Sequence, residues 1–172
     1  MTPETANFQI RSCHQDDLES VLNIQQACYP AALNESKAIW FQRLKDASEY
    51  IWIAEISGKV CAYLACYPSR QGKIAPLDSA FQACRDADCL YFHDLAVSPE
   101  FAGQQIGRKL VSYALEMAKC HNFRHAALVC VQNARAFWQG CGFCEENQMT
   151  PAATEALASY LGQSARYMTK TC

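Results

Sequence analysis

Tyr91 to Lys109 reads YFHDLAVSPEFAGQQIGRK. Continued back to Cys89, its first part is apolar along most of its length, which predicts a strand ending at Val97. Pro99 and Gly103 mark a turn. From Ile106 to Cys120 the apolar residues return at helical spacing. Ile106, Leu110, Ala114 and Met117 share one face, while Arg108, Ser112, Glu116 and Lys119 lie on the other. The first amides of such a helix have no intrahelical acceptor, and its dipole puts partial positive charge there. Gly103 and Gly107 permit close backbone approach, and Arg108 and Lys109 add charge. The arrangement suits an anion such as a pyrophosphate. Neither G-x-x-x-x-G-K-[ST] nor G-x-G-x-x-G is present.

Working outward, the hydrophobic period alternates between strand and helix. Phe8 to Cys13 predicts a strand. Asp16 opens a helix, with Glu19 as capping-box partner and Leu18, Val21, Leu22 and Cys28 as its apolar stripe. The helix should end before Pro30. Ser36 caps a second helix, Lys37 to Ala47, with Trp40, Phe41 and Leu44 towards the core. Tyr50 to Ile56 and Val60 to Tyr67 read as a hairpin about Ser57, Gly58 and Lys59. Residues 68–88 carry Pro68, Gly72 and Pro76 and no period. They predict a long loop, with a helical turn around Ser79 to Cys84, that serves either as a binding loop or as a passive insertion. Ala126 to Val131 predicts a strand covered on both faces. Asn133 opens a short helix that stops at Gly140 or Gly142. Phe143 to Met149 and Ala165 to Thr171 are the last strands, with a helix at Thr154 to Leu161 between them. The class is mixed α/β (α+β), in a single domain over residues 1–172.

Composition narrows the function. Of the 172 residues, 51% are hydrophobic and 19% charged, as in a globular protein. Fifteen Lys and Arg against seventeen Asp and Glu give a net charge of −2, without the broad positive field of a nucleic-acid binder. No run approaches the roughly 18 apolar residues of a membrane span, and no secretory signal is visible, so neither a membrane nor a nucleic acid is expected as partner. The cytoplasm is the expected compartment. The eleven cysteines are odd in number and mostly sit in apolar runs such as VCAYLAC, where they read as buried free thiols.

Strand LAV, then Pro99, Gly103 and Gly107, then an amphipathic helix resembles motif A of the GNAT superfamily of N-acetyltransferases. Downstream, NARAFWQGCGF from Asn133 to Phe143 is similar to the family's motif B, and the order of the preceding elements agrees. The resemblance implies a mixed central sheet, flanked by helices and splayed between its fourth and fifth strands. It implies acetyl-CoA as co-substrate, with no metal. The pantetheine arm would pair with the strand at Leu95, Ala96 and Val97. The pyrophosphate would rest on the amides of Ala102, Gly103, Gln104, Gln105, Ile106, Gly107 and Arg108. Asn133, Phe137 and Trp138 would flank the cofactor.

Two departures stand out. Ala102, Gln105 and Gly107 occupy the three marked places of the family's [Arg/Gln]-x-x-Gly-x-[Gly/Ala]. Gln105 thus replaces a glycine where a positive φ would strain a side chain. Trp138 stands where many members place a Tyr thought to protonate the leaving thiolate. An indole N–H cannot serve so, and Trp138 reads as packing. Tyr160, Tyr167 and Cys141 are unranked alternative acids, and the thiolate leaving unprotonated or taking a proton from water is the other alternative.

Acyl transfer to an amine needs a base, because a free alkylamine is protonated at pH 7. His93 is the candidate. The strand period puts it on one face with Tyr91, Leu95 and Val97, and Tyr91 would hold a water or the substrate there. Asp94 faces the other way and reads as structural. The acceptor, a small-molecule or peptide amine, would enter over Tyr29, Phe41 and the 68–88 loop. Dimers are common in similar proteins, so a homodimer is one option, and the sequence does not fix the oligomeric state. Two other classes stay open: a non-catalytic acyl-CoA-binding protein, and a metal or redox module built on Cys141 and Cys144 or on Cys84 and Cys89.

Overall fold

The computed structural model describes residues 7–76, 81, 84–131, 133–160 and 164–172. The strands are β1 (Phe8–Ser12), β2 (Ile51–Ile56), β3 (Lys59–Ser69), β4 (Cys89–Val97), β5 (His125–Cys130), β6 (Cys144–Glu145) and β7 (Arg166–Thr171). The helices are α1 (Leu18–Cys28), α2 (Lys37–Ala47), α3 (Ile106–Cys120), α4 (Arg135–Gly140) and α5 (Pro151–Ala158). The strands form one sheet in the order β1-β2-β3-β4-β5-β7-β6. β4 and β5 are parallel, and the other described pairs are antiparallel, so the sheet is mixed. The chain divides into two compact units, Met1–Ala65 with Asp94–Tyr113 and Cys66–His93 with Ala114–Cys172.

In the first unit, β1, β2 and the start of β3 form a meander. Ser57 and Gly58 join β2 to β3 with φ of +48° and +80°, the left-handed pair of a two-residue hairpin turn. Residues 51–54 and 61–65 are buried on both faces, which accounts for their unbroken apolar runs. Leu18, Val21 and Ile24 bury the inner face of α1. The expected Asp16–Glu19 capping box is not what opens it. A 3-10 turn, Gln15–Asp17, precedes the helix, and the Asp17 carboxylate accepts the His14 N–H at 2.8 Å and both ends of the Arg11 guanidinium at 2.8 Å. Ser36 caps α2 as predicted, its hydroxyl accepting the Ile39 N–H.

The inward stripe of α2 is Trp40, Arg43 and Ala47, not Trp40, Phe41 and Leu44. Phe41 is 39% exposed, and Arg43 only 3%. Helical spacing of three and four selects this stripe whatever its chemistry, so a charged side chain takes the inner place. Arg43 is tolerated there because Glu35 pairs with it and its guanidinium lies 5.7 Å from the Trp40 ring centroid. Gln25 completes the arrangement. It accepts from the Trp40 indole and donates to the Glu35 carbonyl, fixing the connection between α1 and α2.

In the second unit, β4 pairs with β5 from Cys89↔His125 to Phe92↔Leu128, and β5 pairs with β7 along its whole length. Trp138 lies 5.5 Å from Phe143 and 6.3 Å from Phe92, ring centre to ring centre, and is 8% exposed. β6 is two residues rather than the expected Phe143 to Met149, because Gln148 turns its amide onto the Glu146 side chain ahead of Pro151. That proline, capped by Thr150, starts α5 three residues before the expected Thr154. Beyond β3 the long loop is pinned by two phenols. Tyr167 accepts the Gly72 N–H at 2.9 Å, and Tyr160 donates to the Ala75 carbonyl at 2.8 Å. Most of the helical turn expected around Ser79 to Cys84 lies outside the described residues. All eleven cysteines are free thiols, five of them buried. Burial raises the thiols of Cys13, to about 12, and of Cys66, which makes them poor nucleophiles.

Candidate functional site

The first unit holds the loop between β4 and α3. The Ser98 amide donates to the Cys61 carbonyl at 2.8 Å, and a 3-10 turn, Pro99–Phe101, follows. The Ala102 amide closes that turn on the Pro99 carbonyl, which removes it from the expected anion donors. Gly103 and Gln105 then adopt left-handed φ of +79° and +59°, and the Gln105 carbonyl accepts the Lys109 N–H as α3 begins. Left-handed residues of this kind turn successive amides to one side, as in backbone nests for anions. Residues 102–105 and Arg108 are exposed, while Ile106 and Gly107 are buried. A Cβ on Gly103 would meet nothing within 4 Å, so the loop is open above it. Lys109 lies with its ammonium 4.5 Å over the Phe8 ring.

Gln105 therefore adopts the strained conformation that its replacement of a glycine implied. Left-handed φ costs an L-residue about 1–2 kcal/mol, of which glycine's extra chain entropy offsets about half. Gln105→Gly is expected to stabilise the chain by about 0.5–1 kcal/mol, read as a higher denaturant midpoint at unchanged slope. A lower midpoint would show that the Gln105 side chain does more than endure its backbone.

Beside this loop, β4 meets the end of α1. The Cys28 thiol donates to the Val97 carbonyl at 3.2 Å. The Tyr29 hydroxyl stands 2.7 Å from Asp94 Oδ1 and 2.8 Å from the Leu95 carbonyl oxygen. The Tyr63 hydroxyl donates to Asp94 Oδ2 at 2.7 Å, and its ring packs edge-on against Trp40. Burial, and then the adjacent Asp94 carboxyl, hold both phenols well above their ordinary range, so both stay neutral. The gathering of two phenols at Asp94 was not foreseen. The signal available was a carboxylate in an otherwise apolar strand, which demands buried partners.

The second unit carries the other predicted residues. His93 is half-buried, with the Phe81 ring edge-on at 5.0 Å. Phe81 in turn stacks on Tyr67 at 4.4 Å. Tyr91 is 2% exposed and lies 5.1 Å from Tyr67, and burial, with Tyr160 beside it, pushes its phenol up. Tyr91 is thus packed within an aromatic group rather than presented to solvent. Asn133 is exposed with φ of +60°, one residue before the N-cap of α4. Phe137 is half-buried, 5.0 Å from Trp138. Of the alternative acids, Tyr160 and Tyr167 are committed to the long loop, and Cys141 is half-exposed at the end of α4. Leu95, Ala96, Val97 and residues 102–108 thus fall together in the first unit. Tyr91, His93, Asn133, Phe137 and Trp138 fall in the second.

A mixed α/β sheet with a backbone cradle between a strand and a long helix is the class that fold and loop define. The chain belongs to the acetyltransferase (GNAT) family, whose model matches residues 18–143. A protein of Methanocaldococcus jannaschii, described as an uncharacterized N-acetyltransferase, is 26% identical over 149 residues. The match covers 81% of this chain, which spans only 62% of that relative's length. Among solved structures, a GNAT-like decarboxylase, GphF, in complex with isobutyryl-CoA superposes with a TM-score of 0.80 at 14% identity, covering 95% of this chain and 98% of that one. The PaiA N-acetyltransferase of Thermoplasma acidophilum, in complex with coenzyme A, superposes with a TM-score of 0.70 at 14% identity, covering 96% and 99%. These likenesses establish the fold. Among the described residues, no helix is long and apolar enough to cross a membrane.

Proposed function

We propose that the chain is a CoA-dependent acyltransferase that passes the acetyl group of acetyl-CoA directly to a primary amine. The observation that carries this reading is the turn at Gly103 and Gln105, two left-handed residues opening α3 at the end of β4 in a chain of this family. The pyrophosphate would rest on amides of Gly103 to Arg108, with Arg108 adding charge. The pantetheine arm would follow β4 at Leu95 to Val97. The Leu95 and Val97 carbonyls already accept from Tyr29 and Cys28, so the strand N–H groups are the better donors to it.

His93 is the base in this reading. It would take a proton from the incoming ammonium directly or through one water, while Phe81 and Tyr67 limit its solvation. Buried Tyr91 would hold the strand and a water rather than ionise. A backbone N–H near Val97 would polarise the thioester carbonyl. The acceptor is a small-molecule or peptide amine, met at a homodimer or monomer in the cytoplasm.

A second reading is acyl-CoA binding without transfer, and the observation favouring it is Trp138, packed among phenylalanines where a phenol would stand. A panel of amines and N-terminal peptides, assayed for acetylated product by mass, separates the two. Transfer to at least one amine is expected. Tight acetyl-CoA binding with no product from any of them would favour the second reading. Product mass is preferred to a thiol dye, given eleven free cysteines.

A further inference from the structure

In the connection from β3 to β4, a nucleophilic sulfur meets an amine. The Lys73 ammonium donates to the Cys84 thiol, with 3.5 Å between nitrogen and sulfur. Backbone contacts set both partners. The Lys73 N–H donates to the Arg70 carbonyl at 3.1 Å and closes a turn. Within that turn the Gly72 N–H rests on the Tyr167 hydroxyl and the Gln71 N–H on the Asp88 side chain, each at 2.9 Å. The Cys84 N–H donates to the Pro68 carbonyl, near the end of β3, at 3.2 Å. Of Cys84 and Cys89, Cys89 is fully buried, and burial holds its thiol high. Cys84 is half-exposed and Lys73 is exposed, so a small oxidant reaches both.

We propose that Lys73 and Cys84 form a modification site, at which hydrogen peroxide joins the two side chains through a reversible sulfur–nitrogen bond, a sulfenamide. In the first step the Cys84 sulfur attacks one peroxide oxygen and the oxygen–oxygen bond breaks. Sulfur is oxidised by two electrons to a sulfenic acid, and the other oxygen leaves with the thiol proton as water. A sulfenic acid condenses with a nearby thiol or nitrogen. In the second step Lys73, as the free amine, attacks that sulfur. The nitrogen–sulfur bond forms, the sulfur–oxygen bond breaks, and hydroxide leaves with a proton from nitrogen as a second water. The joined pair is two hydrogen atoms lighter than its parts. An added thiol reverses the step by attacking sulfur and expelling the amine, and a second exchange returns Cys84 as a thiol.

A nitrogen 3.5 Å from sulfur already stands at near-attack distance. Condensation therefore outruns a second oxidation to sulfinic acid. The bond closes residues 73–84 into a covalent ring. It draws on no bound acyl-CoA and stands apart from the acyltransferase reading.

Peptide mapping by mass tests the bond, on protein treated with hydrogen peroxide and digested with trypsin without reductant. A peptide spanning residues 71–85, uncut after Lys73 and two hydrogen atoms lighter than its sequence, is expected. Dithiothreitol should restore both the mass and the cut. In Lys73→Arg the guanidinium still donates to sulfur but does not attack it. Dimedone should then capture Cys84 as the sulfenic acid about tenfold more than in the unsubstituted protein. Oxidation of the exposed Cys120 and Cys144 in both proteins shows that peroxide arrived. Cys84 recovered as a disulfide or sulfinic acid with Lys73 cut as usual would overturn the proposal. So would equal dimedone capture in the two proteins, or Cys84 left as a thiol while Cys120 and Cys144 are oxidised. The map of the unsubstituted protein decides the bond by itself, should the arginine variant fail to fold.

Discussion

His93→Ala is expected to lower turnover by a factor on the order of 10²–10⁴ near neutral pH, the usual contribution of a positioned base. The loss should shrink as pH rises, because more of the acceptor then arrives as free amine and needs no base. Affinity for acetyl-CoA should not change, since the proposed phosphate contacts come from residues 103–108 and the pantetheine contacts from the β4 backbone at Leu95 to Val97, which the substitution leaves in place. The measurement is a pH–rate profile for both proteins on the amine that the acceptor panel identifies. A variant whose profile has the same shape as the original removes His93 from proton transfer. Uniform loss at every pH would mean that the imidazole shapes the Phe81 and Tyr67 group rather than moving a proton.

The second large effect is on stability. Arg43→Ala leaves the Glu35 carboxylate without its buried partner and strips the cation from the Trp40 face. Breaking such a pair costs about 3–5 kcal/mol. Glu35 keeps 16% of its side chain exposed, so the lower end, about 3 kcal/mol, is expected. At roughly 2–4 °C per kcal/mol for a chain of this size, the melting temperature should fall by about 10 °C. The paired change Arg43→Met with Glu35→Gln should recover most of that, because no lone charge stays buried. If the single change costs under about 1 kcal/mol, the pair behaves as an exposed one and does not hold the α1–α2 connection. That connection begins at Tyr29, so the same variant should also loosen the phenol at Asp94.

Periodicity located nearly every element, and its failures have physical causes. α3 and β4 were legible residue for residue because their patterns are long and their ends are marked, by Pro99 and Gly103 on one side and Val97 on the other. α2 was placed correctly and its Trp40 faces inward as expected, but Phe41 is exposed where Arg43 is buried. Hydrophobicity pointed to Phe41 and Leu44, while helix geometry buried Arg43, whose partner Glu35 lies outside the helix and beyond any local pattern. β6 shrank because the chain bonds to itself at Glu146 instead of extending a ladder.

The site was legible where it depends on backbone. The left-handed Gln105 followed from a missing glycine at a known place in a motif. It was opaque where it depends on side chains brought together over long sequence distances. Tyr29, Tyr63 and Asp94 meet from three separate segments, and no spacing rule joins them. Asp94 looked structural because a strand pattern gives the direction of a side chain and not its company.

The central claim is that a nucleotide tail docks on main-chain donors where α3 begins. Isothermal titration of the folded protein with CoA and, separately, with pantetheine tests it most directly, because the two share the thiol arm and differ in the phosphates. CoA should bind tighter by a factor on the order of 100, the worth of one or two charge-assisted hydrogen bonds. Equal affinities, or no heat from either, would contradict it.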